Sequence, residues 1–302
     1  MAGNTKEISR RIKSIRSTRK ITKAMEMVAA SKMKKAQAAA LRTREYAEKA
    51  LEILSQISNK VDAKLSPLLK KRDGKGDVLV IAVSSSKGLC GGLNSNIFKK
   101  IEALETELKK EEIEKIKYIS VGKKVSNYLL KTNREVLADF SEISEISSSF
   151  EIMPIARLAF KEFLEKRIKE VKIVYTHFKS TISQLPVAKH IIPLNQEILE
   201  NFQKELGVET KEEAKKETDS EYIIEPSPKE ILDNVIPSLV ETQIFQSILE
   251  SEASEHSARM MAMKNASDSA NDILDQLQLD FNQMRQAAIT QEIAEIVAGA
   301  SV

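Results

Sequence analysis

The chain has 302 residues, 42% of them hydrophobic and 30% charged, with a net charge near +3. This composition excludes wholesale disorder and allows a buried core. The single cysteine, Cys90, excludes an internal disulfide and a cysteine-rich zinc site, and three separated histidines argue against a metal centre. No apolar run is long enough to span a membrane, and the polar N-terminus does not resemble a secretory signal. We expect a protein of a reducing compartment that reaches membranes only through partners.

The helix-breaking residues are confined to the middle of the chain. Residues 4–66 and 238–298 contain neither glycine nor proline, whereas all seven prolines lie between Pro67 and Pro237. Each uninterrupted stretch predicts a helix of about 90 Å, at 1.5 Å per residue. Helices of this length need a partner against which to bury an apolar stripe.

Both stretches carry such a stripe. In the first stretch it comprises Ile8, Ile12, Ile15, Thr22, Met25, Ala29, Met33, Ala36 and Ala40, continued by Tyr46, Ala47, Leu51, Leu54 and Ile57. In the last stretch it comprises Met260, Met263, Ser267, Ala270, Leu274, Leu277, Phe281, Met284 and Ala288. The alternating steps of three and four indicate the seam of a left-handed coiled coil. Two ordinary amphipathic helices packed on one globule are the alternative.

The charges of the two ends are opposite. Residues 1–40 hold 11 basic and 2 acidic side chains, and residues 238–302 hold 3 basic and 10 acidic ones. This complementarity predicts that the two helices pair with each other, in an antiparallel coiled coil. Cysteines at Met25 and near Phe281 should then crosslink within one chain.

The middle of the chain alternates between strand and helix patterns. Apolar, β-branched runs predict strands at Val78–Val83, Ile116–Val121 and 171–178, with an edge strand at 187–194 between two prolines. Helices are expected from Leu93, behind Gly122 and from Pro154. This order predicts a central open α/β (Rossmann-like) domain with a mainly parallel sheet, beside the coiled coil.

The same patterns divide the chain into three predicted parts. Residues 1–66 form the N-terminal coiled-coil helix, 67–230 the central α/β domain, and 231–302 the C-terminal coiled-coil helix. Within the central domain, the charged residues 204–220 are expected to form a mobile insertion.

One glycine-rich turn, residues 88–92, is a candidate phosphate cradle. It lacks both the P-loop spacing and the dinucleotide-binding spacing, which favours a structural turn, with Cys90 as a buried core cysteine. We therefore predict no catalytic residue, cofactor or metal. The alternatives are a nucleotide-using enzyme with helical arms and a basic coiled-coil protein that binds nucleic acid. The basic helix lacks aromatic residues and has an acidic partner, so nucleic-acid binding is not expected.

Four segments, in order along the chain, carry a resemblance to a known family. They are residues 21–32 (ITKAMEMVAASK), 88–94 (GLCGGLN), 258–264 (ARMMAMK) and 285–300 (RQAAITQEIAEIVAGA). Together they resemble the gamma subunit of the bacterial type of F-type ATP synthase. The resemblance is weakest in the middle of the chain, and the cysteine pair of the redox-controlled chloroplast members is absent.

The resemblance implies a rotor shaft without catalytic chemistry. Its coiled coil would turn inside a ring of three alpha and three beta subunits, and its α/β domain would contact the epsilon subunit and the membrane c ring. Rotation would couple the flow of protons, or of sodium ions, to ATP synthesis. The chain would be a peripheral protein on the cytoplasmic side of the membrane, with no direct insertion into it.

The resemblance also implies which residues contact partners. Contacts with the beta subunit would involve Lys20, Lys23, Met25, Lys32, Glu255, Arg259, Arg285, Gln286 and Thr290. Ile293, Ile296 and Val297 would form an apolar bearing at the C-terminal tip, beyond the reach of the first helix. Tyr222 and Glu225 would belong to the foot, near epsilon and the c ring.

Overall fold

The computed structural model describes residues 2–58, 67–69, 72, 75–111, 113–143, 149–194 and 227–300. The elements in chain order are α1 Ala2–Ser58, β1 Val78–Val83, α2 Leu93–Leu108, β2 Ile116–Val121, α3 Lys123–Lys131, β3 Glu135–Phe140, α4 Met153–Leu164, β4 Glu170–Phe178, β5 Gln184–Ile192 and α5 Pro228–Ala300. Two short 3₁₀ turns, Lys109–Glu111 and Ser149–Glu151, complete the list. The chain forms two compact units: Met1–Ser31 with Arg259–Val302, the coiled-coil unit, and Lys32–Ala258, the α/β unit.

The α/β unit is built on a five-stranded sheet with the order β3-β2-β1-β4-β5. The four strands from β3 to β4 are parallel, and β5 pairs antiparallel with β4 at one edge. β1 lies in the centre and is completely buried, as its continuous apolar sequence predicts. The expected open α/β domain with a mainly parallel sheet is confirmed, and the expected edge strand is β5, which the structure shows to be antiparallel.

Alternate residues of the strands feed two separate hydrophobic clusters, one on each face of the sheet. On one face, Val78, Val80 and Ala82 of β1 pack with the buried sides of α2 and α3. On the other face, Leu79 and Ile81 pack with α4, with Ala47 and Ala50 of α1 and with the 236–248 part of α5. The period of two along β1 therefore supplies both faces of a three-layered domain.

The coiled-coil unit consists of one end of α1 and one end of α5, which run antiparallel. Seam residues Ile12, Ala29, Met263 and Ala270 are buried, as the alternating spacing predicts. A guanidinium N–H of Arg19 donates a hydrogen bond of 2.7 Å to the side-chain oxygen of Asn271, and this contact fixes the register.

The register corrects the expected crosslink between Met25 and the neighbourhood of Phe281. Met25 lies six residues after Arg19, so in the antiparallel pair it faces the residue six before Asn271, which is Asn265. Phe281 is sixteen residues further along the helix, about 24 Å away. The seam itself was identified correctly, but the axial offset was not.

Four further details differ from the sequence-based expectations. The edge strand begins earlier, at Gln184, and β3 was not predicted. α5 begins at Pro228 and continues through Pro237, three residues before the predicted boundary at 231. Tyr46 was expected in the stripe but is 53% exposed, with its hydroxyl 2.7 Å from that of Ser238. The 204–220 insertion and the side chains of Leu51, Leu54 and Ile57 lie outside the described residues.

Candidate partner-binding surfaces

The first group of predicted contact residues lies on α1. In the coiled-coil unit, Lys20 and Lys23 are exposed and Met25 is half-buried at the seam. The ammonium of Lys23 lies 3.0 Å from the carboxylate of Glu26, an exposed pair that contributes little to stability. Lys32 belongs to the α/β unit and is half-buried. The coiled-coil unit therefore presents two lysine ammonium groups to solvent beside a seam methionine.

The second group lies on α5. Arg285, Gln286 and Thr290 are exposed on neighbouring turns, and the Thr290 hydroxyl donates a hydrogen bond of 2.9 Å to the Gln286 carbonyl. Arg259, by contrast, is only 8% exposed. Arg259 and Gln286 are 27 residues apart, a rise of about 40 Å, so they cannot share one contact surface. Glu255 is half-buried in the α/β unit.

The C-terminal end of α5 carries a row of exposed apolar residues. Ile293 is 57% exposed, Ile296 70% and Val297 63%, and Ile289 continues the row by one turn. In the register set by Arg19 and Asn271, the first helical residue, Ala2, faces residue 288. The row therefore begins where α1 ends, and α1 cannot cover it. Exposed apolar surface of this kind is typical of interaction sites.

A further apolar surface on α1 was missed by the sequence analysis. Ile21, Met27 and Val28 are 58%, 60% and 55% exposed and lie off the seam. A single seam accounts for apolar residues at steps of three and four, but the segment 21–30 is apolar on other sides as well. These additional apolar residues are the sequence feature that could have predicted a second, outward-facing surface around Met25.

Two further groups were singled out in the sequence, the glycine-rich turn, predicted to be structural, and the foot, predicted to contact partners. In the glycine-rich turn, the Ser85 hydroxyl donates to the Lys87 carbonyl at 2.7 Å, and the Asn94 amide donates to the hydroxyl of Ser85 and the sulfur of Cys90. These polar groups bond to one another, and Cys90 is buried, as expected. Tyr222 and Glu225, the predicted foot, lie outside the described residues.

One electrostatic cluster of the α/β unit surrounds Glu105 of α2. Arg134 donates two hydrogen bonds, of 2.6 and 2.9 Å, to its carboxylate, and the Tyr118 hydroxyl donates a third. Burial raises the pKa of Glu105, but the hydrogen bonds and the charge of Arg134 outweigh it and hold the pKa below 4.5. Burial and the bond to Glu105 raise the pKa of Tyr118. These partners satisfy one another, which is typical of a structural ion pair.

Two histidines of the α/β unit pair with carboxylates. His177 Nδ1 lies 2.6 Å from Glu250 Oε2, and His190 Nδ1 lies 3.3 Å from Glu170 Oε2. Among the described residues, no group of three or more metal-ligating side chains comes together. In the same part of the chain, no helix is both long enough and apolar enough to cross a membrane.

The fold and the exposed surfaces define a class of protein. One unit is an α/β domain, and the other is an antiparallel pair of long helices with exposed apolar residues at its end and on an outer face, which is typical of proteins that bind others.

Comparisons with known proteins identify the family. The family model described as ATP synthase matches residues 4–302. The chain is 37% identical to the ATP synthase gamma chain of Opitutus terrae over 98% of this chain and 97% of that one. It is 38% identical to the gamma chain of Synechococcus sp. (strain RCC307), over 99% and 98%. The chain therefore belongs to the ATP synthase gamma chain family.

Solved structures show the same fold. The rotor of the Euglena gracilis mitochondrial ATP synthase matches with a TM-score of 0.61 and 18% identity, over 96% of this chain and 100% of that chain. The central stalk and c ring of the Tetrahymena thermophila mitochondrial ATP synthase matches with a TM-score of 0.54 and 25% identity, over 82% and 99%.

Proposed function

We propose that this gamma chain is the rotating, non-catalytic shaft of an ATP synthase. Its coiled-coil unit would turn inside a ring of three alpha and three beta subunits, and its α/β unit would contact epsilon and the membrane c ring. The complex would hold it at the cytoplasmic face of the membrane as a peripheral subunit. Each angle of an asymmetric shaft favours a different conformation of each beta subunit, which is a population shift driven by differential contact.

The exposed apolar row of α5 is the observation that best supports this proposal. Residues 289–297 extend past the end of α1, and the structure offers them no cover from that helix. A helix tip that rotates inside a ring of subunits needs contacts that hold at every angle, and apolar contacts do so because they are non-directional. A sleeve made by the top of the alpha–beta ring would meet both requirements.

The polar residues of the two helices would make the directional contacts with beta. Lys20 and Lys23 would face acidic side chains, and Gln286 with Thr290 would contact beta near the opposite end of the unit. Losing a charge-assisted or buried hydrogen bond costs about 1–3 kcal/mol, so Gln286→Ala should slow coupled turnover roughly 5–150-fold if that angle limits the rate. Arg259 is a less clean probe, because its burial makes Arg259→Ala a test of folding as well.

The direct test is reconstitution. The chain should co-purify with alpha and beta as a complex of about ten times its mass that hydrolyses ATP, whereas the isolated chain should not turn over ATP. Deletion of residues 298–302 should weaken assembly modestly and leave hydrolysis measurable. Turnover by the pure single chain, or failure to enter a complex with alpha and beta, would refute the proposal.

A further inference from the structure

The face of α5 that is buried in the α/β unit becomes more polar toward Ala258. From Ile236 to Ile248 it is mostly apolar and joins the hydrophobic cluster on one side of the sheet, with Gln243 and Ser247 as its buried polar residues. Further on, Ser254 and Ser257 are both completely buried, and Glu250 lies on the same face of the helix. The polar section occupies the last turns of α5 before the α/β unit ends at Ala258.

The polar section is bonded to the hairpin formed by β4 and β5. The Ser254 hydroxyl donates 3.1 Å to the Thr176 carbonyl, and the Ser257 hydroxyl donates 2.8 Å to the Thr181 carbonyl. The Gln184 amide donates 3.5 Å to the Ser257 hydroxyl. We call these contacts, together with the 2.6 Å contact between His177 and Glu250, the polar clamp.

We propose that the polar clamp transmits torque between the α/β domain and the C-terminal helix, and that Ser254, Ser257 and Glu250 are its positioning residues. Apolar packing resists separation but is non-directional, whereas hydrogen bonds fix the angle of a helix about its own axis. A helix driven at one end needs such a restraint where it leaves its support. This inference rests on the proposed shaft function.

The chain contains a matched control for the clamp. Ser247 lies on the same helix and is 2% exposed, but its hydroxyl donates 2.8 Å to the Gln243 carbonyl of its own helix. Ser247→Ala therefore removes a buried hydroxyl of the same kind without breaking a bond to the hairpin. Ser254→Ala with Ser257→Ala removes three hydrogen bonds to the hairpin and keeps the backbone and the volume nearly unchanged.

The test uses the assembled complex in membrane vesicles and measures ATP hydrolysis and ATP-driven proton pumping together. We expect hydrolysis within about twofold of the unmodified rate in both variants, because neither touches the alpha–beta ring. We expect pumping per ATP hydrolysed to fall roughly two- to fivefold in the double variant and to stay unchanged in Ser247→Ala, since only the former loses cross-element hydrogen bonds. If the double variant does not assemble, Ser257→Ala alone should show the smaller loss of the same ratio.

Glu250 supplies the second arm. Glu250→Ala should also lower the pumping per ATP hydrolysed. Glu250→Gln, which retains a partner for His177, should leave it unchanged. If the clamp variants and Ser247→Ala show the same pumping per ATP hydrolysed, the proposed role of the polar clamp is wrong. An unmodified chain that supports no pumping at all would instead overturn the shaft function, so the two failures are distinguishable.

Discussion

The two units differ in how they bury their apolar residues and pair their charges. In the α/β unit, both faces of the sheet are covered, and the Glu105 carboxylate finds its partners within the same unit. In the coiled-coil unit, one narrow seam is buried while Ile21 and Met27 on one helix and Ile296 on the other remain exposed. The α/β unit therefore has two buried clusters of its own, although single apolar side chains such as Ile182 are exposed on it. The coiled-coil unit buries only a seam and is suited to being covered by other proteins.

The largest expected effect is the loss of stability when the hydrophobic core of the α/β unit is truncated. Phe163 of α4 is fully buried, with the guanidinium of Arg72 4.0 Å from its ring, and Phe163→Ala should cost about 3–5 kcal/mol. Tyrosine fluorescence during urea unfolding reports this unit alone, because all five tyrosines lie between residues 46 and 222. Leu164→Ala, at an exposed neighbouring position, is the control and should cost less than about 1 kcal/mol. Equal losses would mean that the unit lacks the tight core described.

The next effect concerns the Glu105 ion pair and acid stability. Glu105→Gln should cost about 1–3 kcal/mol at neutral pH. The folded-state pKa of Glu105 is held below 4.5, so its contribution is fully present above pH 4.5 and is lost as the pH falls through the lower, folded value. The stability difference between Glu105→Gln and the unmodified chain should therefore shrink in acid. A difference that stays constant from pH 7 to pH 3 would contradict the assignment.

A smaller effect tests the register of the coiled-coil unit. Asn271→Ala removes the acceptor for Arg19 and should destabilise the helix pair by about 1 kcal/mol relative to Asn265→Ala, measured by thermal unfolding of the helical circular dichroism. Asn265 is exposed, so the control cancels the gain in helix propensity from alanine. Cysteines at Arg19 and Asn271 should crosslink, and cysteines at Met25 and Phe281 should not; the reverse pattern would overturn the register.

The smallest expected effect in the isolated chain is at the tip. Ile293→Ser with Ile296→Ser should change the unfolding free energy of the free chain by less than about 0.5 kcal/mol, because both side chains are already exposed. The same double variant should weaken assembly with alpha and beta, measured by the fraction of chain in the complex. Unchanged assembly would show that the apolar tip is not a bearing.

The sequence predicts the α/β unit well because burial leaves a strong pattern. The bounds of β1 and β2 match, and α2 begins at Leu93 as expected. The buried residues of α2 recur at steps of three and four: Leu93, Ile97, Ile101, Leu104 and Leu108. β3 was missed because it is an exposed edge strand with charged residues among its apolar ones. The predicted C-terminal helix, residues 231–302, includes Pro237, and burial of Ile236, Leu239 and Val240 outweighs the cost of that proline.

The partner surfaces are less predictable from the sequence. A repeat of three and four identifies the buried face of a helix but not its axial offset, since a shift by seven residues preserves the pattern. The pairing of Met25 with Phe281 failed for this reason. Exposed residues such as Gln286 and Thr290 have no internal partner pattern, so their proposed roles rest on the family resemblance.

The central claim is that the chain turns inside its partners, and single-molecule rotation tests it most directly. With the alpha–beta ring immobilised, a bead can be attached through Ile182→Cys, because Ile182 is 82% exposed and Cys90 is buried. We predict ATP-driven rotation in one direction, with three equal steps per turn, one for each beta subunit. A bead that keeps a fixed angle while the same complexes hydrolyse ATP at the unmodified rate would contradict the claim.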